Sequence, residues 1–264
     1  MKYKIRLILL MWLVILILMY VQTGTAKLVF CDVGQGDAVL IRDGTTEMLL
    51  DSGSENNKLT ECLGRYMPFW DKTIETVIIS HWDSDHSGGL KNIAKYYKLD
   101  SIMSSERPSE GFEQFNYSKT LRENDIVRLG NIEYEVASPE QTSADSNENS
   151  LVGLLSYEDI HVLMMGDADF NVEERLVWRG VLKDILRGRQ INILKAGHHG
   201  SATSTSKLLL QTVQPEETVI SVGKNNRFGH PSSDTLKRIE DEGSVIRRTD
   251  RDGDIVIELL HGRN

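Results

Sequence analysis

The sequence has 264 residues, with 30 Lys and Arg against 39 Asp and Glu, which gives a formal net charge of −9. Hydrophobic residues make up 40% of the chain and glycine accounts for 21 residues, so a disordered chain, a collagen and a coiled coil are excluded. The acidic balance argues against a protein that coats nucleic acid by charge alone. With two cysteines, the chain is neither a disulfide-rich scaffold nor a zinc protein with mainly thiolate ligands.

The first 26 residues are typical of a targeting segment. Basic residues at positions 2, 4 and 6 precede an apolar run over 7–21, and Gly24 and Ala26 have the small size that signal peptidase requires. The run is shorter than the roughly 20 residues that a membrane span prefers, so both cleavage near Ala26 and retention as an anchor stay open. We therefore predict a signal peptide or membrane tether over 1–26 and one domain over 27–264. The basic flank places that domain outside the cytoplasm, secreted or at the cell surface.

Strands and helices alternate along the rest of the chain. Strand patterns cover 28–33, 37–42, 47–51, 76–80, 126–129, 132–137, 151–157, 160–165, 191–195, 218–222, 245–248 and 254–260. Helical patterns cover 59–66, a stretch after 89, 172–178, 182–186, 204–213 and 233–241, and the polar stretch 139–150 is a predicted loop. Asp43-Gly44 indicates a hairpin between the second and third strands. Apolar strands interleaved with helices predict an α/β layered body.

The two cysteines leave one question open. Export would permit a disulfide between Cys31 and Cys62. Because Cys31 lies in an apolar strand pattern, we expect an ordinary buried thiol.

The segment His81-Trp-Asp83-Ser-Asp85-His86 directly follows a buried strand pattern. A loop that leaves a strand can bring all four imidazole and carboxylate groups to one point. The two aspartates would repel each other there, and a divalent cation removes that penalty. This segment therefore predicts a metal site.

Two further strand ends carry residues of the same kind. Asp167 ends a run that is too apolar to hold a carboxylate without a partner, and His198 and His199 follow the strand pattern that ends at Lys195. Three strand ends that deliver His or Asp suit a two-metal centre with a bridging carboxylate. We expect the side chain of Lys195 itself to face solvent.

His81-x-Asp83-x-Asp85-His86 resembles the metal-binding signature of the metallo-β-lactamase fold, in a variant with aspartate at the second histidine. The segments 32–37, 50–53, 166–167, 197–201 and 229–231 are similar, in order, to the soluble metallohydrolase domain of ComEC/Rec2 competence proteins. The resemblance spans about 27–260 and implies a four-layer αββα sandwich. The channel region of full competence proteins is absent from the sequence, so we expect a free-standing relative and not a DNA transporter.

The resemblance implies a ligand set for two divalent metals. His81 and Asp83 would hold the first, Asp85 and His86 the second, and Asp167 would bridge them.

The family's late histidine maps to the adjacent pair after Lys195. We prefer His198 as the metal ligand, with His199 facing the substrate. No histidine lies between 86 and 161, so Asn149 could supply a carbonyl oxygen to the first metal. An oxygen ligand of this kind suits manganese better than zinc, and both metals stay open. Asp51 would orient a histidine ligand.

The chemistry that follows is hydrolysis through a metal-bound hydroxide. We expect Asp85, His199 and His230 to act on the substrate, with His230 donating a hydrogen bond to a phosphate oxygen or protonating the leaving group. As an alternative, His230 is only a turn residue before Pro231. Basic residues of the C-terminal third form either a local strip for nucleic acid or scattered solvated charge: Lys224, Arg227, Arg247, Arg248 and Arg251.

The leading hypothesis is an exported phosphodiesterase or nuclease, with single-stranded DNA as a candidate substrate. A second hypothesis is hydrolysis of another small ester, such as a phosphocholine ester or a thioester; the aspartate at position 83 argues against a lactam. A third is a non-catalytic, metal-stabilised binding module at the cell surface. The sequence identifies no protein partner and no oligomeric state.

Overall fold

The computed structural model describes residues 2–23, 26–139 and 148–259. Its helices are α1 (Lys2–Thr23), α2 (Lys58–Tyr66), α3 (Ser84–Ser87), α4 (Leu90–Ile93), α5 (Phe170–Trp178), α6 (Val181–Leu186), α7 (Lys207–Val213), α8 (Ser233–Asp241) and α9 (Thr249–Asp252). Its strands are β1 (Ala26–Phe30), β2 (Val39–Asp43), β3 (Thr46–Leu50), β4 (Thr73–Ile74), β5 (Thr76–Ile79), β6 (Lys98–Leu99), β7 (Ile102–Ser104), β8 (Tyr117–Thr120), β9 (Ile126–Leu129), β10 (Ile132–Ser138), β11 (Val152–Tyr157), β12 (Ile160–Met164), β13 (Ile193–Lys195), β14 (Glu217–Ile220), β15 (Val245–Arg248) and β16 (Ile255–Leu259). A short 3₁₀ turn covers Gly197–Gly200.

Most of the described strands belong to two seven-stranded sheets. The first has the order β16-β1-β2-β3-β5-β7-β8, the second has the order β15-β14-β13-β12-β11-β10-β9, and β4 pairs with β6 separately. In each large sheet one half is parallel: β3, β5, β7 and β8 in the first, and β12 to β15 in the second. In such sheets the loops that follow the carboxyl ends of neighbouring parallel strands form the binding edge. The predicted site residues follow β3, β5, β12 and β13.

Three apolar clusters define the layers. Along β1, Leu28 and Phe30 belong to the cluster between the two sheets, whereas Val29 faces the opposite side and packs with α2 and α4. This alternation is the period of two that a strand buried on both faces requires. A third cluster packs α5, α6, α7 and α8 on the outer face of the second sheet. The order is therefore helices, sheet, sheet, helices, as the resemblance implied.

Most predicted elements appear within a few residues of their predicted bounds, and β9, β15 and α8 match them. The sequence patterns do not predict β7 or β8. The side chains of β8 are exposed or half-buried, so its sequence lacks the apolar alternation of a strand. Residues 140–147 of the predicted loop and position 260 of the last predicted strand lie outside the described residues.

Helix α1 covers the apolar run at the N-terminus, and its described side chains from Tyr3 to Leu13 are exposed. Among the described residues, no helix has both the length and the hydropathy needed to cross a membrane. The targeting role of 1–26 and the domain boundary stay predictions.

The expectation of a free thiol at Cys31 is wrong. Cys31 and Cys62 form a disulfide that joins the end of β1 to α2. Both residues are fully buried in the cluster between the first sheet and its helices. The sequence correctly predicts that Cys31 is buried among apolar residues. It does not reveal that Cys62 lies beside it, because that depends on how α2 packs against the first sheet.

Candidate metal centre

The carboxylate of Asp167 lies at the centre of the candidate site, in the loop after β12. Its Oδ1 atom is 3.1 Å from Nε2 of His86 and 3.7 Å from Nε2 of His199. Its Oδ2 atom is 4.0 Å from Nε2 of His81 and 3.6 Å from Nε2 of His198. The two oxygens thus have different imidazole neighbours, as expected of a carboxylate that bridges two cations.

Asp51, which follows β3, orients His86. Its Oδ2 atom accepts a hydrogen bond from Nδ1 of His86 at 2.9 Å, and its Oδ1 atom accepts one from the backbone N–H of Ser80 at 2.7 Å. An ionised carboxylate only accepts, so in a neutral His86 ring Nδ1 carries the proton and Nε2 has a free lone pair. Asp51 therefore has the position that the resemblance implied.

The same carboxylate orients His81 through a serine hydroxyl. Oγ of Ser80 donates to Oδ2 of Asp51 at 2.8 Å, which leaves its lone pairs for Nδ1 of His81 at 3.0 Å. Nδ1 of a neutral His81 then carries the proton and Nε2 is free. Burial, followed by the neighbouring His86, lowers the pKa of His81 and favours this neutral ring.

A backbone carbonyl orients the third buried histidine. Nδ1 of His199 lies 3.0 Å from the carbonyl oxygen of Ser221, which follows β14 and can only accept. Nε2 of His199 therefore presents its lone pair to the site, 3.3 Å from Oδ2 of Asp85. Burial lowers the pKa of His199, but the carboxylates of Asp167 and Asp37 outweigh it and raise that pKa to about 9. A bound cation would displace this proton.

Five ligand-type atoms of this cluster are buried without a hydrogen-bond partner among the described residues. They are Nε2 of His81, His86 and His199, and Oδ1 of Asp37 and Asp167. A buried polar atom without a partner destabilises the fold by roughly 1–3 kcal/mol. Five such atoms in one place are therefore unfavourable unless a cation binds them. Ligand atoms of His81, His86 and Asp167 lie within 4.8 Å of one another, and so do those of Asp85, His86 and His199. Nitrogen and oxygen donors in these numbers fit two divalent cations.

The remaining predicted ligands lie on the first side of the cluster. Oδ2 of the half-exposed Asp83 is 3.7 Å from Nε2 of His81. Asn149 is buried and directly precedes Ser150, whose Oγ is 3.3 Å from Nδ1 of His81. The structure therefore brings the predicted histidine and aspartate ligands from distant parts of the chain to one place.

The two adjacent histidines exchange the roles that we expected. His199 is buried and its Nε2 faces the cluster, whereas the side chain of His198 is 29% exposed and its ring is 5.8 Å from that of His230. Both histidines have positive φ, 45° and 53°, inside the turn that ends at Gly200. The structure therefore favours His199 as the ligand and places His198 at the opening of the site.

Lys195 does not face solvent, so that expectation is wrong. It is fully buried and pairs with the carboxylate of Asp37, which follows the Gly34-Gln-Gly36 turn. Asp37 is also 3.2 Å from Nδ1 of His199 and 3.9 Å from Nδ1 of His86. Burial raises the pKa of Asp37, but Lys195 and then His199 lower it overall. Sequence reasoning assigned no role to Asp37, although the turn before it was a visible signal.

The cluster opens to solvent through a cavity of about 170 Å³. His198, Phe228 and His230 line it together with the acidic ligands and Gln35. Burial, and then the two histidines at 198 and 199, lower the pKa of His230. A neutral His230 carries one ring N–H that can donate to an oxygen in the cavity.

Glu173, on α5, fixes the segment that follows the histidine turn. Its carboxylate accepts hydrogen bonds from the backbone N–H groups of Thr205 and Ser206 at 2.5 and 2.7 Å. Burial raises its pKa from 4.5 to about 7, against the opposing effect of these hydrogen bonds. A carboxyl group with a raised folded pKa contributes stability below its unfolded pKa and loses it as the pH rises through the folded value.

We therefore expect the stability gap between Glu173→Gln and the parent protein to depend on pH. When the pH rises from about 5 to about 8, the parent should lose about 2 kcal/mol of unfolding free energy because Glu173 ionises. The variant has no carboxyl group at this position, so its stability relative to the parent should rise by the same amount. Urea denaturation at both pH values measures this change. The exposed neighbour Glu174→Gln is the control, and a gap that is the same at both pH values would contradict the expectation.

Comparison with known proteins agrees with this geometry. Residues 31–224 match the model of the metallo-beta-lactamase superfamily. The chain is 29% identical over 261 residues to Recombination protein 2 of Haemophilus influenzae, covering 97% of this chain and 32% of that protein. It is 29% identical over 245 residues to Competence protein ComA of Neisseria gonorrhoeae, covering 92% and 33%. It therefore spans about a third of the length of these relatives.

A solved structure shares the fold. The metallo-beta-lactamase fold protein YhfI from Bacillus subtilis superposes with a TM-score of 0.61 at 13% identity, over 89% of this chain and 99% of that one. The resemblance found in the motifs is confirmed, because the family model covers most of the chain and includes every candidate ligand. The chain belongs to the metallo-beta-lactamase superfamily.

Proposed function

We propose that this protein is a metal-dependent phosphodiesterase that cleaves nucleic acid, with single-stranded DNA as the candidate substrate. The observation that carries the proposal is the set of buried, unpaired nitrogen and oxygen atoms around Asp167, beside an open cavity. The superfamily generally consists of metal-dependent hydrolases. The names of the two relatives refer to recombination and competence, which supports a DNA substrate.

Each side of Asp167 would hold one cation. His81 and Asp83 lie on the first side, and Asp85, His86 and His199 lie on the second. Divalent ions there would lower the pKa of a water molecule and stabilise negative charge on phosphate oxygens.

The chain's own residues prepare the site for this chemistry. Asp51, Ser80 and Ser221 fix the three imidazole rings, so the ligands need no reorientation. His230, at the opening of the cavity, can donate its ring N–H to an oxygen of the substrate. Without cations, the carboxylates that line the cavity would repel a phosphate group.

We expect purified protein to contain about two divalent ions per chain, measured by elemental analysis. Removal of the ions with a chelator should abolish cleavage of a single-stranded oligonucleotide, and the metal found, zinc or manganese, should restore it. Asp167→Asn should retain less metal, since it weakens both sides of the site. Cleavage that continues at the full rate in metal-free protein would contradict the proposal.

The same preparation distinguishes the other hypotheses. If the metal-loaded protein leaves oligonucleotides intact but turns over a phosphocholine ester or a thioester, the second hypothesis replaces ours. If it binds metal and hydrolyses none of these, a binding module is the better description.

We also propose that the domain works outside the cytoplasm. The disulfide between Cys31 and Cys62 supports this, because disulfides persist mainly in oxidising compartments. The basic residues and apolar run before position 26 support it as well. N-terminal sequencing of the protein from fractionated cells would show both its location and whether the chain is cleaved near Ala26.

A further inference from the structure

The loop 223–230, which we call the rim loop, lies beside the candidate metal centre and is held by hydrogen bonds of Asn226 and Gly223. The side chain of Asn226 donates to the carbonyl oxygens of Gly223 and His230 at 3.0 and 2.6 Å. It also accepts from the backbone N–H groups of Phe228 and His230 at 3.1 and 3.0 Å. The N–H of Gly223 donates to Oε1 of Gln35 at 3.2 Å, which attaches the loop to another residue that lines the cavity. The side chains of Asn226 and Gln35 therefore fix the conformation of the rim loop.

A row of four rings leads from the buried cluster to the surface of this loop. The ring centroids of His199 and His198 are 6.1 Å apart, and those of His198 and His230 are 5.8 Å apart. The rings of His230 and Phe228 are stacked, with an angle of 16° and 5.8 Å between centroids. Phe228 ends the row and is 54% exposed although it lines the cavity. The ring is therefore open to solvent at the mouth of the candidate site, where a bound molecule could contact it.

Two basic residues lie on the same loop as the exposed ring. Lys224 and Arg227 are exposed, and neither forms an ion pair with any residue that the structure describes. The guanidinium group of Arg227 lies 5.1 Å from the centre of the Phe228 ring.

Of the other three basic residues considered with them from the sequence, two are neutralised, whereas Arg251 on α9 is exposed and lines a different cavity beside Glu240 and Asp252. Arg247 pairs with Glu217 and Arg248 pairs with Asp250. Among the five basic residues considered from the sequence, those without an ion pair to any described residue are Lys224, Arg227 and Arg251. Two of them, Lys224 and Arg227, belong to the rim loop next to the candidate metal centre.

We propose that the rim loop is a subsite for an unpaired nucleobase, which stacks on Phe228 while the adjoining phosphate group occupies the cluster around Asp167. This inference rests on the proposed phosphodiesterase function. An aromatic face with a neighbouring guanidinium group suits any base, because every base has a π-face. Lys224 and Arg227 are placed to contact the phosphates of neighbouring nucleotides. Bases inside a duplex are stacked on each other, so the subsite selects single strands.

The test compares two single-stranded oligonucleotides of the same length, one with all its bases and one with abasic sites throughout the cleaved segment. The full chain, loaded with the metal found in it, is assayed as parent, Phe228→Ala, Phe228→Trp and Trp178→Ala. Only the backbone of Phe228 bonds to Asn226, so the alanine variant keeps the loop anchored. Trp178 is 77% exposed on α5 and lines no part of the cavity, so it is the control for loss of a surface aromatic residue.

We expect the parent to prefer the base-containing strand by about tenfold or more in kcat/KM. In Phe228→Ala this preference should fall toward one, mainly through KM, while Phe228→Trp and Trp178→Ala retain it. An unchanged preference in Phe228→Ala would overturn the subsite and leave the proposed function intact.

A binding measurement separates the two proposals. If the parent cleaves neither strand, the proposed function fails, and fluorescence anisotropy with the same labelled strands decides on the subsite. Weaker binding of the base-containing strand by Phe228→Ala, with no such change for the abasic strand, supports the subsite. Equal binding by parent and variant overturns it.

Discussion

Replacing Lys195 with methionine is expected to lower the free energy of unfolding by about 3–5 kcal/mol. The lysine is fully buried against the carboxylate of Asp37, which is itself only 2% exposed. The substitution removes the cation and leaves the carboxylate in a poorly solvated position. Its charge then repels the acidic ligands of the metal centre as well. Chemical denaturation of the two proteins measures the difference.

A second substitution distinguishes loss of the ion pair from simple misfit. The double variant Lys195→Met with Asp37→Asn removes both charges and should recover a large part of the lost stability. The double variant should still bind metal more weakly than the parent, because it lacks the carboxylate of Asp37, which lies 3.2 Å from Nδ1 of His199. Lys183→Met, an exposed lysine on α6, is the control. A loss of less than about 0.5 kcal/mol in the single variant would show that the pair adds nothing to folding.

His199→Ala is expected to remove at least one metal ion and to lower hydrolysis by about 100-fold or more. The reason is that Nε2 of His199 presents a lone pair between Asp85 and Asp167, 3.3 and 3.7 Å from their oxygens. His198→Ala should keep both ions, since its half-exposed ring lies at the opening of the site. Elemental analysis after dialysis, beside the rate of oligonucleotide cleavage, measures both effects.

Circular dichroism before metal removal shows whether each variant is folded, so a loss of metal is not confused with unfolding. The opposite outcome, in which His198→Ala loses metal and His199→Ala retains it, would restore the assignment that the sequence favoured.

The sequence predicts which residues gather at the candidate metal centre where the relevant information is local. Strand β5 ends where the apolar run ends, and the ligands from His81 to His86 follow within one short turn. The end of β12 likewise delivers Asp167. Such residues can be found from pattern alone, because a buried carboxylate or imidazole after an apolar strand needs a partner.

The errors concern contacts that local patterns do not contain. Asp37 and Lys195 are 158 residues apart, and the packing of the two sheets against each other brings them together. The choice between His198 and His199 depends on two consecutive residues with positive φ, a conformation that is uncommon outside glycine and that the local pattern does not reveal. The disulfide depends in the same way on the packing of α2 against β1. Strand β8 was missed because pairing with β7, and not its own composition, makes it a strand.

The pairing of β1 with β16 has a consequence for how the domain can be connected to other polypeptides. The first and last strands, β1 and β16, pair antiparallel at one edge of the first sheet, with Ala26 opposite Leu259. Chain attached before one or after the other leaves from the same corner of the molecule. A circular permutant that joins these two points with a short linker and opens elsewhere should keep its architecture. A larger protein can thus carry this domain through connections at one corner, away from the edge that holds the candidate metal centre.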